Sequence, residues 1–371
     1  MEKLKNVVLK VTDLCNFNCS YCFESKEKKN RVSRFTKEKE LLEFLKKFDY
    51  EDRFDFYFFG GEMFLFPDRV EAICEEIKKL ERFKETKIHF AFITNASIPD
   101  KVIDLIKKDL FDLDMCKISW DGLRSHVTRG YKTNINDPMF SLNMIENIKD
   151  LSPYCRDKVL ISMAVTKDNI NTLYHTYEFL NKLKYRKFEY YYIFDPVYEK
   201  EYNTISFTQE LYNQLIRIVG KHENFTTKLH NYELYKGRYD YAYQCRTLGN
   251  QLHIDTEGDI WACTLFPEME KLHTKENRSK DGNICDTNLD IEQLMSSYGN
   301  IKQSVAFKSK EFCQDIICCP YRHFCNTCPL EIISFKLAGN YCPIKELRTA
   351  EYNAFLYGVK NNEKYIRTSG E

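Results

Sequence analysis

Residues 6–24 read NVVLKVTDLCNFNCSYCFE. The first seven form a short apolar, β-branched run that predicts a strand over 6–12. Cys15, Cys19 and Cys22 follow it at once, in the spacing CxxxCxxC. Three thiolates gathered on one loop suit zinc or an iron–sulfur cluster. A closed tetrahedral zinc site needs a fourth ligand, and no nearby Cys or His supplies one. Three ligands leave one metal position open. An open iron in a four-iron cluster can bind a small molecule directly, whereas a structural zinc gains nothing from the vacancy. Structural zinc is the competing reading.

Outward from this loop, apolar runs alternate with stretches of helical period as far as residue 196. Further strands are expected at 54–59, 87–94, 115–120, 159–166 and 188–194. Between them TKEKELLEFLKKF, PDRVEAICEEIKKLERF, PDKVIDLIKKDLF, PMFSLNMIENIKDL and NINTLYHTYEFLNKLK carry apolar residues at three- and four-residue spacing, so they read as crossover helices. Right-handed βα crossovers build a parallel sheet. The class is therefore α/β, and six units suggest a partial (βα)6 TIM-like barrel, with a doubly wound sheet left open by pattern alone. Functional groups are expected at the carboxyl ends of the strands in either architecture.

After a bridging region at 197–240, with a helix near 207–219, the pattern changes. QLHIDTEGDIWACT, residues 251–264, reads as a hairpin turning at Glu257 and Gly258. Beyond it come many cysteines and few apolar strands, as expected of a small domain stapled by metal. The organisation is thus a barrel at 1–196, the bridge, a Cys-rich domain at 241–350, and a tail at 351–371. A last helix near 342–357 packs back on the body.

The 371 residues include 55 Lys and Arg against 55 Asp and Glu, and the resulting zero formal charge gives no global field toward nucleic acid or an anionic membrane. No signal peptide or membrane-length apolar run is evident, so a cytoplasmic protein is expected. Fifteen cysteines in such a chain point to metal or redox chemistry, because reducing cytosol keeps thiols free. Cys74, Cys116 and Cys155 stand apart from the others and read as buried core thiols.

The first cysteine loop resembles that of the radical S-adenosylmethionine superfamily, whose motif is CxxxCx(aromatic)C after the first barrel strand. Tyr21 fills the aromatic position. The resemblance implies a [4Fe-4S] cluster on Cys15, Cys19 and Cys22, with S-adenosylmethionine bound at the open iron and cleaved to a 5′-deoxyadenosyl radical. Further motifs arrive in the family's order. Gly60, Gly61 and Glu62 resemble its GGE motif, where the strand edge and the Glu meet the cofactor's amino group; Met63 stands where Pro often follows. Thr94 and Asn95 end the third strand. Ser119 and Asp121, in SWDG, resemble the motif near ribose and carboxylate, and Arg129 would be the carboxylate partner. Val165, with Thr166, matches the fifth-strand position beside the adenine.

The later cysteines resemble a SPASM extension, which binds one or two auxiliary [4Fe-4S] clusters. The resemblance gives Cys245, Cys263 and Cys328 to the first, with its fourth iron open or capped by Cys285. Cys319, Cys325, Cys342 and one of Cys313 or Cys318 would hold the second. Two departures stand out: Ile316 occupies a usual cysteine position, and only two residues separate Cys325 from Cys328.

That group mostly modifies peptides and proteins. The resemblance therefore implies a maturase of a ribosomally synthesised precursor peptide, installing a thioether, carbon–carbon or carbon–oxygen link. Its partners would be the peptide and an external electron donor such as flavodoxin or ferredoxin; with the first strand beginning near Asn6, leader binding would need either a separate leader-binding protein or the exposed parts of residues 197–240 and the SPASM extension. The rival reading is an anaerobic sulfatase maturase forming formylglycine. Such enzymes carry Asp after the hairpin's second cysteine, where Thr264 stands here, and a Thr hydroxyl is a poor base. A non-catalytic metal-binding protein is the third reading. Asp195 or a tyrosine of FEYYYIFDP is a candidate base, although Tyr190 to Tyr192 are more often packing residues.

Overall fold

The computed structural model of the chain describes residues 3–22, 33–83, 86–134, 137–193, 201–202, 204–219, 251–263, 282–297 and 345–361. Cys245, Cys313, Cys318, Cys319, Cys325, Cys328, Cys342, Thr264 and Asp195 lie outside them, as does most of the bridging region.

Among the described residues, six strands and five helices alternate through the first half. They are β1 (Leu4–Lys10), α1 (Glu38–Leu45), β2 (Tyr50–Phe59), α2 (Pro67–Lys78), β3 (Lys87–Thr94), α3 (Pro99–Lys107), β4 (Lys117–Ser119), α4 (Phe140–Cys155), β5 (Leu160–Val165), α5 (Leu173–Lys182) and β6 (Lys187–Tyr192). Neighbours pair parallel in simple succession from β1 to β6. This is the expected α/β rhythm. Two of the helices begin with Pro at the first turn, Pro67 and Pro99, where the missing N–H costs nothing. The fourth strand is shorter than its sequence suggests, because Leu113–Met115 closes into a 3-10 turn capped by the Asp112 carboxylate.

Strand β2 shows how the two faces divide. Phe54, Phe56 and Phe58 are fully buried on the outer face, among Phe83, Phe90 and Phe111 beneath the helices. Asp55 and Tyr57 alternate with them on the inner face. A parallel strand covered on both sides would read as continuously apolar. Here the inner face instead lines a polar lumen, where Lys117 reaches Glu189 at 2.5 Å and Ser162 donates to Glu189 at 2.7 Å.

The sheet also curls. In a flat sheet β1 and β6 would stand about 24 Å apart. Tyr21, on the loop after β1, nevertheless donates to Asp121 beyond β4 and lies close to Tyr191 of β6. The carboxyl ends of all six strands thus face one chamber, as in a partial barrel.

A helix, α6 (Ile205–Val219), follows. The hairpin strands β7 (Gln251–Ile254) and β8 (Asp259–Trp261) then pair antiparallel, and β9 (Gly282–Asn283) adds to them. Asp255 makes the turn by accepting the N–H groups of Glu257 and Asp259, each at 2.9 Å, while Gly258 takes φ of 77°. Strand β7 pairs parallel with β1, so the sheet order runs unbroken from β6 through β1 to β9. The expected boundary near residue 240 lies outside the described residues. The last helix, α7 (Lys345–Asn361), packs along α6. Cys74, Cys116 and Cys155 are buried, and burial pushes each thiol's pKa up. Among the described residues no helix is long and apolar enough to cross a membrane.

Candidate active site

The cysteine loop hangs between two backbones. On one side Gly61 N–H donates to Thr12 O at 2.8 Å and Glu62 N–H to Leu14 O at 2.9 Å. On the other, Asn18 and Ser20 donate to Gly130 O and Thr128 O at 2.9 and 3.0 Å. Phe17 anchors the loop from below, edge-on to Tyr131 and Phe140. The glycines are required by this closeness. A Cβ on Gly61 would stand 2.2 Å from Leu14 O, and one on Gly60, at φ of 137°, 2.4 Å from Thr12 O.

Beneath the loop, Lys10 Nζ lies 2.5 Å from Asp13, both nearly buried. Ser33 and Thr256 also bond to the Asp13 carboxylate, at 2.5 and 3.1 Å, so the hairpin turn and the cysteine loop share one polar knot. Burial raises the Asp13 pKa, but the bond and charge of Lys10 and the two hydroxyls outweigh it and hold the carboxyl below its usual value.

The three thiols are half-buried and near enough to influence one another's ionisation. Burial pushes the Cys19 thiol up to about 12, and metal binding requires its deprotonated sulfur. Cys15 Sγ faces two donors, Phe17 N–H at 3.4 Å and Asn95 Nδ2 at 3.7 Å. Among the described residues no three Cys, His, Asp or Glu side chains gather at single-ion distances. Three thiols sharing one loop, with N–H donors aimed at sulfur, are a donor set that fits an iron–sulfur cluster.

Glu62 is 1% exposed and fully bonded. Its Oε1 accepts Phe64 N–H at 3.1 Å and the Thr94 hydroxyl at 2.8 Å, and its Oε2 accepts Asn95 N–H at 2.7 Å. Burial nonetheless outweighs these bonds and raises its pKa from 4.5 to about 7. A raised carboxyl stabilises the fold fully below pH 4.5 and loses that contribution as pH rises through 7, on the order of 3 kcal/mol in all. Glu62→Gln should therefore flatten the stability profile of the metal-free protein between pH 5 and 8, read from urea midpoints. An unchanged pH slope would remove Glu62 as its source.

Across the chamber, Asp121 is completely buried. It accepts Tyr21 Oη at 2.9 and 3.0 Å, Thr128 Oγ1 at 2.5 Å, Ala164 N–H at 3.1 Å and Arg129 Nη2 at 3.0 Å. Arg129 Nε also lies 2.9 Å from Asp121 Oδ2, though its N–H points off that line, so this contact is ionic rather than a formed hydrogen bond. The guanidinium stands 5.5 Å over the Tyr21 ring and bonds its hydroxyl as well.

Of the barrel residues singled out in the sequence, Cys15, Tyr21, Glu62, Thr94, Asn95, Asp121 and Arg129 are joined by the contacts above, and Asp195 lies outside the described residues. Ser119 pairs with Ser162, on the face that carries Glu189. Val165 pairs with Tyr192 on the outer face, so its backbone alone edges the chamber, and Ala164 is its inward neighbour. Arg129, expected to face a ligand carboxylate, is held by Asp121 here, with Nη1 outside that pair. Cys263 is buried just beyond β8, and Cys285 is exposed after β9. Thr128 and Ala164 were not singled out, and Tyr191 only as one of the tyrosines of FEYYYIFDP. The alternation in FEYYYIF, which turns Tyr191 away from Tyr190 and Tyr192, was the available signal.

Residues 9–180 match the family described as Radical SAM superfamily. This stretch of the chain carries the radical SAM domain, which implies S-adenosylmethionine and a [4Fe-4S] cluster. The uncharacterized protein MJ0907 of Methanocaldococcus jannaschii is 28% identical over 293 residues, covering 78% of this chain and 91% of that protein. Among solved structures, the sulfatase maturase anSMEcpe with bound AdoMet and Cp18Cys peptide superposes with a TM-score of 0.68 at 16% identity, covering 98% of each chain. Streptococcus suis SuiB bound to precursor peptide SuiA gives 0.55 at 18% identity, over 81% of this chain and 67% of that one.

Proposed function

We propose that this enzyme modifies a ribosomally made peptide, abstracting hydrogen and installing an oxidative change or cross-link. What carries the reading is the placing of the thiol loop, the Glu62 strand end and the Asp121–Arg129 pair around one chamber whose fold is shared along nearly the whole chain with peptide-bound anSMEcpe. When bound on Cys15, Cys19 and Cys22, a [4Fe-4S] cluster supplies the electron that breaks the carbon–sulfur bond of S-adenosylmethionine. The chain's own groups do the rest. Glu62 offers a buried carboxylate to a cofactor amino group, Arg129 Nη1 a donor to its carboxylate, and Ser119 with the β5 edge a wall for ribose and adenine. Auxiliary clusters on Cys245, Cys263, Cys319, Cys325, Cys328 and Cys342, with Cys313 or Cys318, would take up the substrate's second electron and make the reaction a net oxidation.

A second reading, formylglycine formation on a sulfatase, is favoured by the likeness to anSMEcpe. It is weakened by Thr264, which stands where those enzymes place a carboxylate base. The two separate by mass. Incubation with a short peptide encoded beside this gene should lower its mass by two hydrogens per cross-link. Conversion of a sulfatase Cys or Ser to an aldehyde, with no change in the neighbouring peptide, would establish the second reading instead.

A further inference from the structure

Strand β6 turns three consecutive tyrosines to two sides. Behind the sheet, the hydroxyls of Tyr190 and Tyr192 both reach one oxygen of Glu351 on α7, at 2.9 and 2.5 Å. Glu351 is fully buried, and the two tyrosines are 1% and 2% exposed. Tyr202 locks the same edge: its hydroxyl donates to Val165 O and accepts Ile193 N–H, both at 2.8 Å, and its ring meets Tyr192 edge-on.

In front of the sheet, Tyr191 pairs in register with Ala164, whose N–H holds Asp121. Tyr191 lies close enough to Tyr21, Asp121, Arg129 and Cys19 for them to act on its ionisation. A carboxylate in an apolar layer costs several kcal/mol unless its bonds are formed, and aliphatic side chains would pack α7 without that cost. A polar tie to alternate residues does what packing does not, since it fixes the rotation of the strand between them.

We propose that Glu351 is a positioning residue that clamps β6 through Tyr190 and Tyr192, so that Tyr191, in register with Ala164, stands beside Tyr21 and the Asp121–Arg129 pair in the conformation that receives S-adenosylmethionine. The last helix of the chain thereby sets the geometry of the first loop's chamber. Glu351 touches no reacting atom, so its effect must pass through Tyr191.

The test uses the full chain, anaerobically reconstituted, without any peptide, so it is independent of the substrate reading. S-adenosylmethionine affinity and the electron paramagnetic resonance of the reduced cluster with and without it are measured for Tyr191→Phe, Glu351→Ala, the double variant and Glu351→Gln. Tyr191→Phe and Glu351→Ala should each weaken binding about tenfold, the size of one buried hydrogen bond, and should alter the cofactor-induced spectral change. The double variant should be no weaker than either single one, because both break the same connection. Glu351→Gln, which keeps the accepting oxygen, should restore wild-type affinity. If Glu351→Ala does not fold, the Tyr190→Phe/Tyr192→Phe variant removes the clamp from the other side with the same expectation. Wild-type affinity and spectrum in the clamp variants, or additive losses in the double one, would overturn the proposal. A wild-type protein that binds no S-adenosylmethionine would instead count against the radical reading.

Discussion

Replacing Arg129 by alanine should destabilise the cluster-free protein by about 3–5 kcal/mol, the range for removing one partner of a buried ion pair. The reasoning rests on exposure: the Arg129 and Asp121 side chains are 4% and 0% exposed. Without the guanidinium, Asp121 keeps Tyr21, Thr128 and Ala164 as donors but holds a negative charge with no cation beside it. Arg129→Lys should recover part of the loss, since an ammonium restores charge but not the fork that spans Asp121 and Tyr21. Urea unfolding measures both. A cost below about 1 kcal/mol for Arg129→Ala would place the pair in the class of solvent-screened surface bridges and contradict the buried geometry.

Gly61→Ala is expected to have the second large effect, and on the loop rather than the pair. Its new methyl group would stand 2.2 Å from Leu14 O and 2.8 Å from Asp13 O, both backbone atoms that cannot rotate away. The loop must shift, which costs about 1–3 kcal/mol as overpacking and displaces Cys15 relative to Cys19 and Cys22. The variant should therefore retain little iron at this loop after reconstitution. Gly282→Ala is the control. Its methyl would meet Leu289 Cδ1 at 2.8 Å, the tip of a flexible side chain, so it should leave both iron content and stability nearly unchanged. Equal iron loading in the two variants would show that the close approach of the glycine strand end does not shape the loop.

Much of this arrangement was legible in the residue order. The alternation of β-branched runs with amphipathic segments placed six strands within a few residues of their positions, because parallel βα units bury long, regular patterns. The glycines were legible too, since two in succession at a strand end signal a close approach. What approaches them in the structure is the cysteine loop itself, through Thr12 and Leu14. Other features depended on contacts far apart in sequence. Nothing around Lys10 or Asp13 announces Thr256 as a partner, some 243 positions away. The joining of β7 to β1 was hidden for the same reason, because sheet edges pair by geometry and carry no local mark. Tyr191 was legible only in part. Period-two alternation separates it from its neighbours, but which side faces the chamber depends on the register with β5.

The central claim is that the loop of Cys15, Cys19 and Cys22 serves the cleavage of S-adenosylmethionine. Anaerobic reconstitution with iron and sulfide, followed by S-adenosylmethionine and a strong reductant, tests it most directly through the 5′-deoxyadenosine formed. The wild-type protein should produce it over many turnovers, and Cys19→Ala should produce none while the fold survives. A wild-type protein fully loaded with iron and sulfide that forms no 5′-deoxyadenosine would contradict the claim.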